Sequence, residues 1–229
     1  MNQGAQVLST AGGAVAAQRN RVLRNTYWLL ALSMVPTVLG AWIGVQTGIA
    51  SAMSPGIGLV VFLAGAFGFM YAIEKTKNTA AGVPVLLAFT FFMGLMLARL
   101  LGIVLGMKNG TGLVMTAFAG TGVIFFGMAS MSSVIKRDLT QMGKFLFIGM
   151  VMLLVAMIAN FFIQSSALMI TLSVLAIGIF SLFILHDLKR VQDGVETNYI
   201  TATLGVYLSL YNVFANLLAL LGIGGGSSD

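Results

Sequence analysis

The 229 residues are 59% hydrophobic and only 8% charged, and their mean hydropathy is +1.00; soluble domains carry about 25% charged residues, so a soluble core is excluded and the bilayer is the solvent. Cysteine is absent and His186 is the single histidine, which removes disulfides, thiolate chemistry and multi-His zinc centres. The net charge of +6 comes from Lys and Arg scattered among short connections rather than gathered on one patch, which fits membrane topology and excludes a nucleic-acid surface.

Residues 1–18 are rich in Gly, Ala, Gln and Ser and uncharged, and they lack the compact apolar core of a cleaved signal peptide. A flexible cytoplasmic tail is therefore expected over 1–24. Seven apolar runs follow, at 25–45, 56–73, 83–107, 112–135, 142–163, 167–185 and 200–223. Each suffices for a bilayer crossing, which takes about 20 residues, and continuous rather than alternating hydrophobicity selects helices over a barrel. The expected fold is all-α: one seven-helix transmembrane bundle over 25–223, with a short periplasmic tail over 224–229. Pro55 and Pro84 fall at helix starts, where a missing N–H costs nothing. Gly65, Gly68, Gly120 and Gly127 sit inside spans, where small residues let backbones approach. No internal repeat is evident, which argues against an inverted-repeat transporter.

Basic residues set the orientation. Arg19, Arg21, Arg24, Lys75, Lys77, Lys136, Arg137, Lys144, Lys189 and Arg190 fall on one side, against Lys108 on the other. The positive-inside rule then places the amino terminus in the cytoplasm and the carboxyl terminus outside; the bacterial inner membrane and its periplasm are what the family resemblance given below implies.

Within the spans, Arg99 interrupts the third, where an unpaired charge costs several kcal/mol, about 2.5 or more. It either snorkels along a cavity or closes an ion pair, or it lines a polar path. In the last span Gly205, Ser209, Asn212 and Asn216 recur at spacings of four, three and four and so share one face. Lipid rejects such a face, so it should look inward, towards the end of the sixth span with His186 and Asp187. Asp187 is then placed to hydrogen-bond Ser209 or Tyr207. The face serves either as interhelical glue or as part of an ion path. Ahead of it, Glu196, Thr197, Asn198 and Tyr199 open the last helix: Thr197 or Asn198 can cap its free N–H groups, and Glu196 suits the positive end of its dipole.

The passage HDLKRVQDGVETNYITATLGVYLSLYNVFANLLALLG, together with RVLRNTYWLLALS at the first span, resembles the transmembrane Bax-inhibitor-motif family, in its proteobacterial YccA-type branch. The resemblance implies two things. The branch comprises inner-membrane partners and slow substrates of the FtsH protease, which modulate turnover of other membrane proteins. The broader family includes pH-sensitive calcium leak channels gated by two carboxylates that share a proton, one on each of the last two helices. The first carboxylate falls on Asp187; the second matches Tyr211, or Ser209 with a two-residue gap, and neither is acidic. Without like-charge repulsion the proton latch is weakened, and calcium wants six to eight oxygens. The resemblance thus implies FtsH as partner in the lipid bilayer, with calcium or protons as the alternative, and no cofactor or catalytic residue. An enzyme is not expected: no lysine in the last span could hold retinal, and Ser209 has no oriented histidine base.

Overall fold

The computed structural model describes residues 3–225. They form α1 (Gln3–Thr47), a one-turn α2 (Ile49–Ala52), α3 (Pro55–Thr76), α4 (Gly82–Leu105), α5 (Gly110–Val134), α6 (Thr140–Ile163), α7 (Ser166–Gln192) and α8 (Tyr199–Gly225). Seven of these are long and apolar enough to cross a membrane. At 1.5 Å per residue the spans of α3 to α8 run about 33–40 Å, enough for a hydrocarbon core of about 30 Å.

The last helix is the centre. Val206, Tyr207, Leu210 and Val213 of α8 pack with Leu29 and Leu30 of α1, Leu86, Phe89 and Met93 of α4, and Ile184 and Leu188 of α7. Towards the other end Leu218 meets Ala41, Leu97, Leu101, Val104 and Ala117. α6 stands at the edge and packs chiefly on α7, through Leu153, Leu172 and Ala176. The remaining large apolar side chains, such as Trp28, Phe118, Phe145 and Phe162, are exposed around the perimeter, as a lipid-facing surface requires.

Because lipid is as apolar as leucine, helices adhere through close packing rather than hydrophobic drive. The closest seam joins α1 to α4. A Cβ on Gly40 would overlap the Phe91 carbonyl oxygen, one on Gly94 would overlap the Thr37 carbonyl oxygen, and one on Gly44 would stand 2.5 Å from Ala98 Cβ. Of the glycines read as packing positions, Gly65 fits: its face is covered by the Phe92 ring, and a Cβ there would collide with it. Gly120 lies 3.3 Å from Leu217 by the same measure, whereas Gly68 and Gly127 face open space.

The first helix departs from expectation. It begins at Gln3, not at residue 25, and its stretch before the apolar run joins the bundle: Val22 is buried against Val191 and Ala202. The Arg19 stem covers Gly194, whose positive φ of 76° turns the α7–α8 connection. The reason is propensity plus a floor. Ala and Gln are strong helix formers, so an apolar helix entering the membrane propagates back through them. Residues 226–229, most of the tail expected over 224–229, lie outside the described residues.

The basic residues gather at one end as the charge count requires. Arg19 touches the α7–α8 connection, the Lys77 carbonyl bonds Asn198, and Lys144 and Arg190 line one cleft. Lys108 sits in the α4–α5 connection, at the opposite end of α4 from Gly82, whose neighbour is Ile200.

Candidate functional site

Near the basic end, α7 presents His186 and Asp187 in succession. Successive residues on a helix point about 100° apart, so the pair reaches two neighbouring helices. The His186 ring is buried against Gly143 of α6: a Cβ there would stand 2.6 Å from Nε2. The Asp187 carboxylate lies against Gly205 of α8, with Oδ2 2.6 Å from where a Cβ would stand, and its Oδ1 is 3.2 Å from His186 Nδ1. Two glycines on flanking helices thus make room for one carboxylate–imidazole pair. A cleft of about 660 Å³ opens beside it, lined by Gly143, Lys144, Phe147, Ile148, Phe183 and Arg190 among others. Gly143 went unnoticed in the sequence, where a glycine one turn into a span is an ordinary feature.

Gly205→Ala is expected to force the carboxylate aside and to lower stability by about 1 kcal/mol, since it overpacks a pinned but short side chain. Combining it with Asp187→Ala should recover most of that loss. A double-mutant cycle on thermal unfolding in detergent reads this coupling, and strictly additive losses would show that the two sites are independent.

Of the residues expected around Asp187, the structure brings His186 and Gly205 to it and turns the others elsewhere. Tyr207 is two positions beyond Gly205, about 200° around α8. Its hydroxyl accordingly lies 2.9 Å from Thr37 Oγ1 of α1 and 3.4 Å from the Thr90 carbonyl oxygen of α4. Tyr211 faces α4 as well and donates to the Met93 carbonyl. Ser209 is buried but donates to the Gly205 carbonyl at 3.0 Å, Asn212 to Leu208 and Asn216 to Asn212, each at 2.8 Å. These bonds all run back to the i−4 carbonyl of α8, so the polar face is not the interhelical hydrogen-bond glue that its spacing suggested. Short polar side chains on a helix reach the i−4 carbonyl of their own helix and so need no partner on a neighbour.

Asn198 settles how α8 begins. Its Oδ1 accepts from the Ile200 and Thr201 N–H groups at 2.9 and 3.1 Å. Its Nδ2 donates to the Lys77 carbonyl and to Asn78 Oδ1 in the α3–α4 connection. Glu196 Oε1 accepts from the Asn198 N–H at 2.8 Å, and its Oε2 lies 4.0 Å from Arg190. Thr197, the other capping candidate, is exposed, and Tyr199 packs onto the Val22 cluster.

Arg99 belongs to the far end. It lies about 25 Å along α4 from Gly82 at 1.5 Å per residue, so it cannot line one path with Asp187 at the basic end through direct contact. Its guanidinium reaches the Met53 carbonyl at 3.5 Å beside Pro55, Gly58 and Tyr211 in a second cleft of about 330 Å³. No carboxylate pairs with it among the described residues. Of the readings open to it, snorkelling to the loop that enters α3 describes this geometry.

Seven bilayer-length helices, the last of them at the centre, make this a polytopic helical membrane protein. The family described as inhibitor of apoptosis-promoting Bax1 matches residues 19–226. The chain belongs to that family. An uncharacterized membrane protein of Vibrio cholerae is 35% identical over 206 residues, covering 90% of this chain and 91% of the relative. A protein of Escherichia coli K12 named modulator of FtsH protease YccA is 37% identical over 203 residues, 89% of this chain and 90% of the relative. An uncharacterized protein of Pseudomonas aeruginosa is 36% identical over 215 residues, 93% and 95%. These relatives carry names of a modulator or of uncharacterized proteins rather than of enzymes.

Proposed function

We propose that the protein is an inner-membrane partner and slow substrate of an FtsH-type protease, modulating how fast that protease degrades other membrane proteins. The observation that carries this is the near full-length similarity to the Escherichia coli modulator of FtsH. Two features of the chain suit the role. At the basic end, taken as cytoplasmic by the positive-inside rule, α1 projects beyond its apolar run, and Ala16, Ala17, Gln18, Arg19, Asn20 and Arg21 are exposed. The exposed start of α1, before Val22 anchors the helix to the bundle, opens at little cost and offers a processive protease a grip. The α1–α4 seam then resists extraction, since pulling on α1 must break the tightest helix pair of the bundle. Grip together with resistance yields occupancy of the protease, which is what a competing slow substrate needs.

Deleting residues 2–18 is expected to preserve co-purification with proteolytically inactive FtsH from native membranes while slowing degradation by the active enzyme. Unchanged turnover of the shortened chain would refute the grip, and loss of association by the full-length chain would refute the partnership. The calcium-leak alternative has less to support it, because Asp187 has His186 as its neighbour in place of a second carboxylate. Among the described residues no three acidic or histidine side chains stand close enough to share a metal ion.

A further inference from the structure

We infer that the cleft between α6 and α7 binds an anionic phospholipid, with its phosphate between Lys144 and Arg190 and an acyl chain along Phe147, Ile148 and Phe183. The argument is one of depth. α6 starts and α7 finishes at the basic end, so Lys144 and Arg190 stand within about one turn of that end, at headgroup level. Phe147 and Ile148 follow Lys144 by about one turn, and Phe183 precedes Arg190 by about two, so the wall turns apolar about 5–10 Å deeper. Cation above, hydrocarbon below is the profile of a phospholipid rather than of a soluble anion. The cleft is also reachable from the bilayer, because α6 is a peripheral helix and Phe147 and Ile148 are 57% and 56% exposed.

Charge decides which headgroup. Lys144 forms no ion pair among the described residues, and Arg190 is only loosely held, its Nη2 4.0 Å from Glu196 with the side chain 42% exposed. The cleft's own carboxylate, Asp187, is already engaged by His186 and pressed against Gly205. Around them the basic end carries Arg19, Arg21, Arg24, Lys75, Lys77, Lys136, Arg137 and Lys189 against Glu74, Asp138 and Asp193, so the surrounding field is positive. Basic pockets between spans on the cytoplasmic side recruit acidic headgroups for this reason. The inference stands apart from the protease reading: neither residue lies in the part of α1 offered to the protease.

The test is lipid retention by the full-length protein in native mass spectrometry, after exchange into detergent with phosphatidylglycerol or phosphatidylcholine. Preferential retention of phosphatidylglycerol is expected. At about 1 kcal/mol per basic residue, or about fivefold, Lys144→Gln and Arg190→Gln should each cut that preference about fivefold and together about thirtyfold. Lys108→Gln, at the other end, should leave it unchanged. As a readout that needs no variant, phosphatidylglycerol should raise the thermal midpoint of the unaltered protein more than phosphatidylcholine does. Equal retention and equal stabilisation by the two lipids would overturn the site. So would a preference untouched by the double variant, or stabilisation by free glycerol phosphate equal to that by the lipid.

Discussion

Gly94→Val is expected to be the most damaging single substitution in the transmembrane core, lowering stability by about 3 kcal/mol or preventing folding outright. A Cβ at this position would meet main-chain atoms of α1, the Thr37 carbonyl and the Ala41 nitrogen, rather than a side chain that can swing away. Overpacking a close-packed interior costs about 1–3 kcal/mol where neighbours adjust, and backbone has the least freedom to do so. Gly40 meets the Phe91 carbonyl of α4 in the same way, so the seam is glycine against backbone from both sides. For a chain of this size 3 kcal/mol corresponds to a drop of about 6–12 °C in thermal midpoint. Gly68→Ala supplies the control, because a Cβ there meets nothing within 4 Å. It should be neutral or stabilising by up to about 1 kcal/mol through helix propensity. If the two variants unfold at the same temperature, close approach of α1 and α4 is not what holds the bundle together. Under the proposed function the same Gly94 variant should also be degraded faster by FtsH, since the seam is the obstacle to extraction.

The seven spans were legible because lipid leaves a chain few choices: length, hydropathy and the distribution of Lys and Arg identify helices and sort their ends. Arg99 was legible as an anomaly, but not its resolution, which depends on the Met53 carbonyl arriving from a connection 46 residues away. Two features misled. The spacing of Gly205, Ser209, Asn212 and Asn216 located a real face of α8, yet the hydrogen bonds that its side chains donate run back to i−4 carbonyls of α8 itself. The stretch before residue 25 read as a tail because its composition is bland, while the burial of Val22 within it is set by Val191 and Ala202, which lie far along the chain. The His186–Asp187 pair was visible, and its placement beside the last helix was foreseen. Its two glycine partners were not, because one glycine among 28 carries no label saying which side chain fills its space.

Asn198→Ala should cost about 2–4 kcal/mol, although the residue lies at the surface end of the bundle and packs no core. The side chain performs two tasks at once. Its oxygen caps α8 through Ile200 and Thr201, and losing an Asn cap costs about 0.5–2 kcal/mol. Its amide ties the α3–α4 connection through Lys77 and Asn78, and each such bond contributes about 0.5–1.5 kcal/mol. Asn198→Asp separates the tasks. The carboxylate retains both cap acceptors at the positive end of the helix but has no N–H to donate, and it places a negative charge against the Lys77 carbonyl and Asn78 Oδ1. The aspartate variant should therefore keep α8 intact and release the α3–α4 connection, which trypsin reports by cutting faster after Lys75 and Lys77 in detergent-solubilised protein. The alanine variant should show that cleavage together with a lower thermal midpoint for the whole bundle. Should both variants resist trypsin as the unaltered protein does, the connection is held by something other than Asn198. α8 is the central helix and this residue caps its start, so a loose start would propagate to the slot where Asp187 meets Gly205 less than two turns further in.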